Sequence, residues 1–369
     1  MSWHGHGMRP AIKPGLLVVW RDRDTLQIGI DPRRAVAITG MGRAAALIGL
    51  LDGSRELGQV LAAAEQLGIP QDAANQIIGL LAAAGAVQDF PAAELRALPD
   101  GPRARLAREL AAVSLAHGHA DGGAKVLGRR QSASVRVYGT GPVGPEIASL
   151  LTASGVSRVA CAGQLGQAMP HPAVPSRPRA SRQGRTPAAG RGSPPLADRS
   201  GTARTGRDVN PSPAPAARQR RANPRPMPDL AVLTDGYPAE LPGQLVAGGV
   251  LHLAVSAREA IGVVGPLVVP GQSACLRCVE LARSDRDPAW PFILAQLAGQ
   301  AAQPVACAAT LAAAVAAQAV SQVLSCLDLA RPATAVTNAT LELVSPGWQW
   351  RRRSWPRHER CRCSTPWPA

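Results

Sequence analysis

Four cysteines in two tight pairs, Cys275-Leu-Arg-Cys278 and Cys361-Arg-Cys363, are the residues whose type and spacing most directly specify chemistry. Two thiolate pairs on short loops supply the tetrahedral four-sulfur set of a structural zinc ion, with no open position for a substrate. Such a site contributes on the order of 10 kcal/mol of folding free energy and would fasten the C-terminal tail to the body. The second pair has one intervening residue instead of the usual two, and unliganded thiols or a disulfide are the other readings. Cys161, Cys307 and Cys326 stand alone. Cys307 lies near the start of a helical pattern, where the dipole favours a thiolate. Small cysteines in alanine-rich helices more often serve packing. Seven cysteines, a mostly polar start without an apolar run and no apolar run of membrane-spanning length favour metal over disulfides and a cytoplasmic protein.

Gly139, Gly141 and Gly144 follow the apolar run Val135-Arg-Val-Tyr138 and precede a helical pattern. Between a strand and a helix, this spacing marks a Rossmann-type turn, which lets a phosphate approach a helix N-terminus. The same glycines also serve a turn kept for packing. Nucleotide binding further needs an acidic residue after the next strand, Val156–Ala162, to hold the ribose hydroxyls. None follows that strand until Asp198. Asp235 ends the strand-like run Asp229-Leu-Ala-Val-Leu-Thr-Asp235. It suits a magnesium ion near phosphate, and equally a turn or helix cap.

The elements that must position these groups fall into three stretches. Residues 1–90 contain strand patterns at 16–21, 26–30 and 35–39, then helical patterns at 43–51, 54–67 (with Ser54 as N-cap) and 71–84. That composition describes a winged-helix-like module. Residues 91–134 read as a helical connector with a glycine-rich stretch near Asp121. Residues 135–369 read as a Rossmann-like α/β domain with strands at 135–138, 157–160, 229–235, 250–255, 262–269 and 335–344. Helices are expected at 145–154, 289–300 and 305–329. The run Arg283-Ser-Asp285-Arg286-Asp287 reads as a solvated, salt-bridged turn, with partner binding as the other reading, and the residues after 344 as a Trp/Arg-rich tail. From 163 to 228 the chain turns Pro/Arg/Ser/Gly-rich, too poor in apolar surface to offset its ordering entropy. That interval also has the composition of a GC-rich gene read out of frame.

The chain has 369 residues, a formal charge of +15 and a pI near 11.0, which invites a nucleic-acid reading. Twelve arginines against two aspartates in 171–225 carry about two-thirds of that excess. No Lys or Arg lies between Arg55 and Arg96, so the third helix of the N-terminal module lacks the cations a DNA-reading helix needs. Nucleic acid is therefore an unlikely partner. An apolar helix with an open strand edge instead suits strand addition of an extended peptide.

Together, Val264-Gly-Pro-Leu-Val-Val-Pro-Gly271, Cys275-Leu-Arg-Cys278 and Asp285-Arg-Asp-Pro-Ala-Trp-Pro291 resemble the ThiF/ubiquitin-activating-enzyme-like proteins. In particular, they are similar to the actinobacterial leader-peptide-binding proteins associated with thiazole/oxazole-modified microcin cyclodehydratases. Lys13-Pro-Gly-Leu-Leu-Val-Val-Trp-Arg-Asp-Arg23 resembles the PqqD-like recognition element of that group. The resemblance covers the chain apart from about 163–228. It implies a precursor (leader) peptide on the N-terminal module, a zinc-bearing adenylation-type domain, homodimers and a partner modifying enzyme in bacteriocin-type biosynthesis. Of the adenylyltransferase residues, only the glycine triplet and Asp235 carry over. The expected function is therefore a peptide-binding scaffold with a degenerate nucleotide site. An ATP- and magnesium-dependent adenylyltransferase is the alternative, and a DNA-binding regulator comes third.

Overall fold

The computed structural model describes residues 7–92, 95, 100–162, 227–298, 306–329 and 334–364. The polar interval expected at 163–228 lies outside these residues except for Met227 and Pro228.

The chain begins with a short strand, Pro10–Ile12 (β1). Val18–Trp20 (β2), Leu26–Ile28 (β3) and Val36–Ile38 (β4) then form an antiparallel sheet in that order. The Asp22 carboxylate closes the first turn by accepting the amides of Asp24 and Thr25 at 2.9 and 2.7 Å. Helices Ala46–Leu50, Leu57–Gln66 and Gln71–Ala83 follow. Ile28, Leu47, Val60, Ile78 and Leu81 bury one shared core beneath sheet and helices. The second of these helices starts later than the sequence suggests. Glu56, not Ser54, is its N-cap and makes a reciprocal capping box with Gln59, while Ser54 is held in a turn by Asp52. Val87–Asp89 (β5) returns to pair antiparallel with β1. Three-residue strands carry too little periodicity to have announced either one.

Helices Asp100–His117 and Ala124–Ser132 lead to the larger sheet, with Gly118, Gly122 and Gly123 at positive φ between them. Two buried cations hold this connector in place. The Lys13 ammonium donates to the Ser114 carbonyl at 2.8 Å. Arg130 donates to both carboxylate oxygens of Asp328, at 2.7 and 2.6 Å, and to Glu109 at 2.6 Å.

Among the described residues a seven-stranded mixed sheet makes this an α/β protein. Its strands are Ser134–Tyr138 (β6), Arg158–Ala162 (β7), Leu230–Leu233 (β8), Leu251–Arg258 (β9), Ile261–Val268 (β10), Ala339–Val344 (β11) and Gln349–Ser354 (β12). They lie in the order β12-β11-β10-β9-β8-β6-β7. β7, β6, β8 and β9 run parallel, and β9 through β12 are antiparallel. One face packs on helices Val143–Ala153 and Ala309–Leu329 through Ile147, Leu151, Leu230, Val232, Val255, Val264, Val315 and Val323. The other carries helix Leu241–Ala247 over Ala231 and Leu233.

The helix Ala309–Leu329 corrects one sequence expectation. With 21 residues, and a mean hydropathy of 1.6 over its most apolar 18, it is long and apolar enough to cross a membrane by length and composition alone. Its alanines lack the contiguous large apolar side chains that would have drawn the eye. Half of that 18-residue stretch is buried, and Asp328 near the helix end meets Arg130. The residues after 344 also differ from expectation, since Gln349–Ser354 forms an edge strand rather than a free tail. Helix Leu276–Arg286 was not foreseen either, and it takes in Arg283, Asp285 and Arg286.

Candidate functional site

Residues 86 positions apart are brought together at the cysteines. Cys275 occupies the N-cap position of helix Leu276–Arg286, and Cys278 lies in its first turn, its amide bonded to the Cys275 carbonyl at 3.0 Å. The tail arrives from β12 and turns at His358, whose carbonyl accepts the Cys361 amide at 2.9 Å. Asp285 anchors that turn by meeting His358 Nε2 at 2.7 Å and the Arg360 guanidinium. The charged run stays largely exposed, as a solvated and salt-bridged segment should, and it also ties the tail to the body, because the His and Arg that Asp285 pairs with come from more than seventy positions along the chain.

The sulfurs of Cys275 and Cys361 are 3.6 Å apart, those of Cys278 and Cys363 3.5 Å, and those of Cys275 and Cys278 3.8 Å. All four lie within 4.8 Å of one another. Those separations exceed a disulfide bond of about 2.05 Å. They match a four-thiolate tetrahedron, whose edges at metal–sulfur bonds of about 2.3 Å are about 3.8 Å. Burial pushes the Cys275 thiol far up and the Cys361 thiol up to about 11. Four sulfurs within 4.8 Å of one another would repel as thiolates, and a cation among them removes that repulsion. The cluster can hold a metal ion.

The predicted glycine turn sits elsewhere, at the ends of β6 and β8. A Cβ on Gly139 would stand 2.4 Å from the Thr234 carbonyl oxygen, and one on Gly141 2.9 Å from the Asp235 Cβ. Gly139 also adopts φ +119°. The amides of Thr140 and Gly141 both donate to the Asp235 carbonyl at 2.9 Å. At Gly144 a Cβ would meet the Thr234 Oγ1 at 3.4 Å, ordinary contact. The first two glycines are therefore required by close approach of the loop to residues 234 and 235, whatever else binds there.

Asp235 is buried, and its carboxylate is engaged. Oδ2 accepts the Ala257 amide at 3.0 Å, while Oδ1 accepts Arg258 Nε at 3.1 Å and a terminal guanidinium nitrogen. An arginine thus lies where a magnesium ion would have to bind this carboxylate. Arg258, at the exposed end of β9, could have been found from sequence only by knowing that β9 lies beside β8. Cys307 lies within electrostatic reach of Asp235. Partial burial and that carboxylate push its thiol up, against the thiolate expected from its place near a helix start. Burial likewise raises the thiols of Cys161 and Cys326.

The N-terminal sheet offers a different kind of site. The bonds from the Arg21 amide to the Thr25 carbonyl and from the Gly29 amide to the Leu17 carbonyl fix the β2–β3 register. Antiparallel alternation then leaves the peptide groups of Val18 and Trp20 facing away from β3. Leu17, Val18, Val19 and Trp20 are all exposed.

This α/β architecture is similar to that of two heterocyclases and of E. coli MccB. A heterocyclase in complex with substrate and cofactor superposes with a TM-score of 0.60 at 15% identity, over 97% of this chain and 39% of the other. The heterocyclase TruD gives 0.59 at 13%, over 97% and 43%. E. coli MccB with AMPCPP and MccA gives 0.58 at 13%, over 97% of this chain and 99% of that one. The chain thus spans about two-fifths of the two heterocyclases. No family model matches the sequence, and no curated protein matches it either.

Proposed function

We propose that the chain is a leader-peptide-binding scaffold. In this reading residues 1–90 form a winged-helix-like, PqqD-like module that captures a precursor peptide. Residues 91–134 connect it to a ThiF-like, Rossmann-type domain of residues 135–369, and that domain presents the peptide to a partner modifying enzyme in bacteriocin-type biosynthesis. The carrying observation is the open edge of β2, where exposed apolar side chains flank outward-facing peptide groups. An extended peptide adding there would gain main-chain hydrogen bonds and a surface for alternate side chains. The likeness to heterocyclases and to MccB solved with MccA supports a peptide as the ligand.

The metal of the four-cysteine cluster is zinc in this reading, and its role is structural because four sulfurs leave no open position. The Arg258–Asp235 ion pair supports a degenerate nucleotide site over an adenylyltransferase. The scaffold is expected to work in the cytoplasm, as a homodimer.

Val18→Pro tests the peptide site, since it removes an amide that faces outward while the inward β2–β3 bonds remain. Titration of the fluorescently labelled precursor peptide of the same biosynthetic system should show at least tenfold weaker binding to the variant. Equal affinity would place the peptide elsewhere.

A further inference from the structure

The larger sheet has an open edge of its own, and it is chemically unlike that of β2. The register of β11 and β12, with the Trp355 amide bonded to the Asn338 carbonyl at 2.8 Å, turns the peptide groups of Gln349, Arg351 and Arg353 toward β11. The alternation leaves those of Trp350, Arg352 and Ser354 facing outward, and no described residue makes a backbone hydrogen bond to them. All six residues of β12 are exposed.

Charge on an edge strand ordinarily serves to prevent pairing with another copy. The arginines Arg351, Arg352 and Arg353 do this here, because a two-fold pairing of β12 with itself would bring like charges together. They do not account for the aromatic residues beside them. Trp348 is 45% and Trp350 37% exposed, next to Val344 at 47%. Trp and Arg together are what protein interfaces concentrate. From 342 to 362 the chain carries six arginines against two glutamates. Arg353 is paired with Glu342 and Arg352 caps the Ala335 carbonyl, so both are held in place. Arg351 has no partner among the described residues. An edge with outward peptide groups, exposed aromatics and an arginine row repels a copy of itself and attracts acidic backbone.

We infer that β12 is a second docking strand, which takes an extended acidic segment of a partner protein by strand addition. This site is separate from the peptide edge at β2 and stands independently of the function proposed above.

A labelled decapeptide alternating glutamate and valine serves as the probe on the zinc-loaded full chain, read by fluorescence polarisation. Three comparison probes accompany it: its lysine–valine counterpart and the two isomers N-methylated at alternate residues along either edge. The acidic probe should bind, the lysine probe should not, and one N-methylated isomer should lose at least tenfold in affinity. Arg351→Glu should weaken the acidic probe at least tenfold while metal content stays unchanged, although it faces Glu342 across the β11–β12 ladder and costs some stability. Val18→Pro, on the other edge, should leave it unaltered. Equal binding of both N-methylated isomers and the parent would show charge attraction without strand addition and overturn the proposal. So would loss of binding on Val18→Pro with retention on Arg351→Glu, or dissociation of a dimer by Arg351→Glu.

Discussion

At the residue scale, the cysteines and glycines act through distance. Cys278 is fully buried with its sulfur 3.5 Å from that of Cys363, so shortening it to a hydroxyl removes one ligand and leaves three thiols crowded. On the proposed zinc reading, Cys278→Ser should lower the bound metal well below one per chain and reduce the melting temperature by about 5 °C or more, as metal analysis and calorimetry would show. Full zinc occupancy in the variant would remove Cys278 from the ligand set. Gly141→Ala places a methyl 2.9 Å from the Asp235 Cβ. The backbone must move to admit it, and denaturant unfolding should register a loss of about 1–3 kcal/mol. A nucleotide-binding role alone would leave stability untouched. The cysteine pairs and the glycine triplet were legible as chemistry because their spacing is local. The partners that decide what they do were not: Asp285 with His358, or Asp235 with Arg258, meet only after the chain folds.

Elements with long apolar periodicity, such as Gln71–Ala83 and Val143–Ala153, were legible within a residue or two, because a buried stripe at helical spacing has few other readings. Helix Leu276–Arg286 was missed because charges crowd its last turn and mimic a loop, and β12 because arginines and tryptophans mask strand alternation. The joints between elements rest on buried charge. Arg130 and Asp328 are almost wholly enclosed, so Asp328→Asn leaves a buried guanidinium half-compensated and should cost about 3 kcal/mol in a denaturant titration. A cost near zero would mean that water reaches the pair. At Lys13, burial lowers the ammonium to about 8 from 10.5. A lowered lysine pKa means that the unfolded chain binds more protons between those two values, so the folded state gains stability as pH rises through them. Relative to Lys13→Met, the wild type should be flat below pH 8 and gain from pH 8 toward 10.5. A flat difference throughout would show that Lys13 is not desolvated.

For the whole molecule, the α/β class follows from strands alternating with helices between 134 and 268. The antiparallel half of the sheet does not follow, because order and direction are tertiary facts. In the proposed account the molecule offers an open strand edge at its N-terminal sheet and, in its larger sheet, a glycine turn and a carboxylate already engaged by the protein itself. On that proposal it presents peptides and carries out no nucleotide chemistry of its own. Calorimetric titration of the zinc-loaded chain with ATP and magnesium tests this most directly. The account predicts no saturable heat, and tight uptake of ATP that requires magnesium and is lost in Asp235→Asn would contradict it.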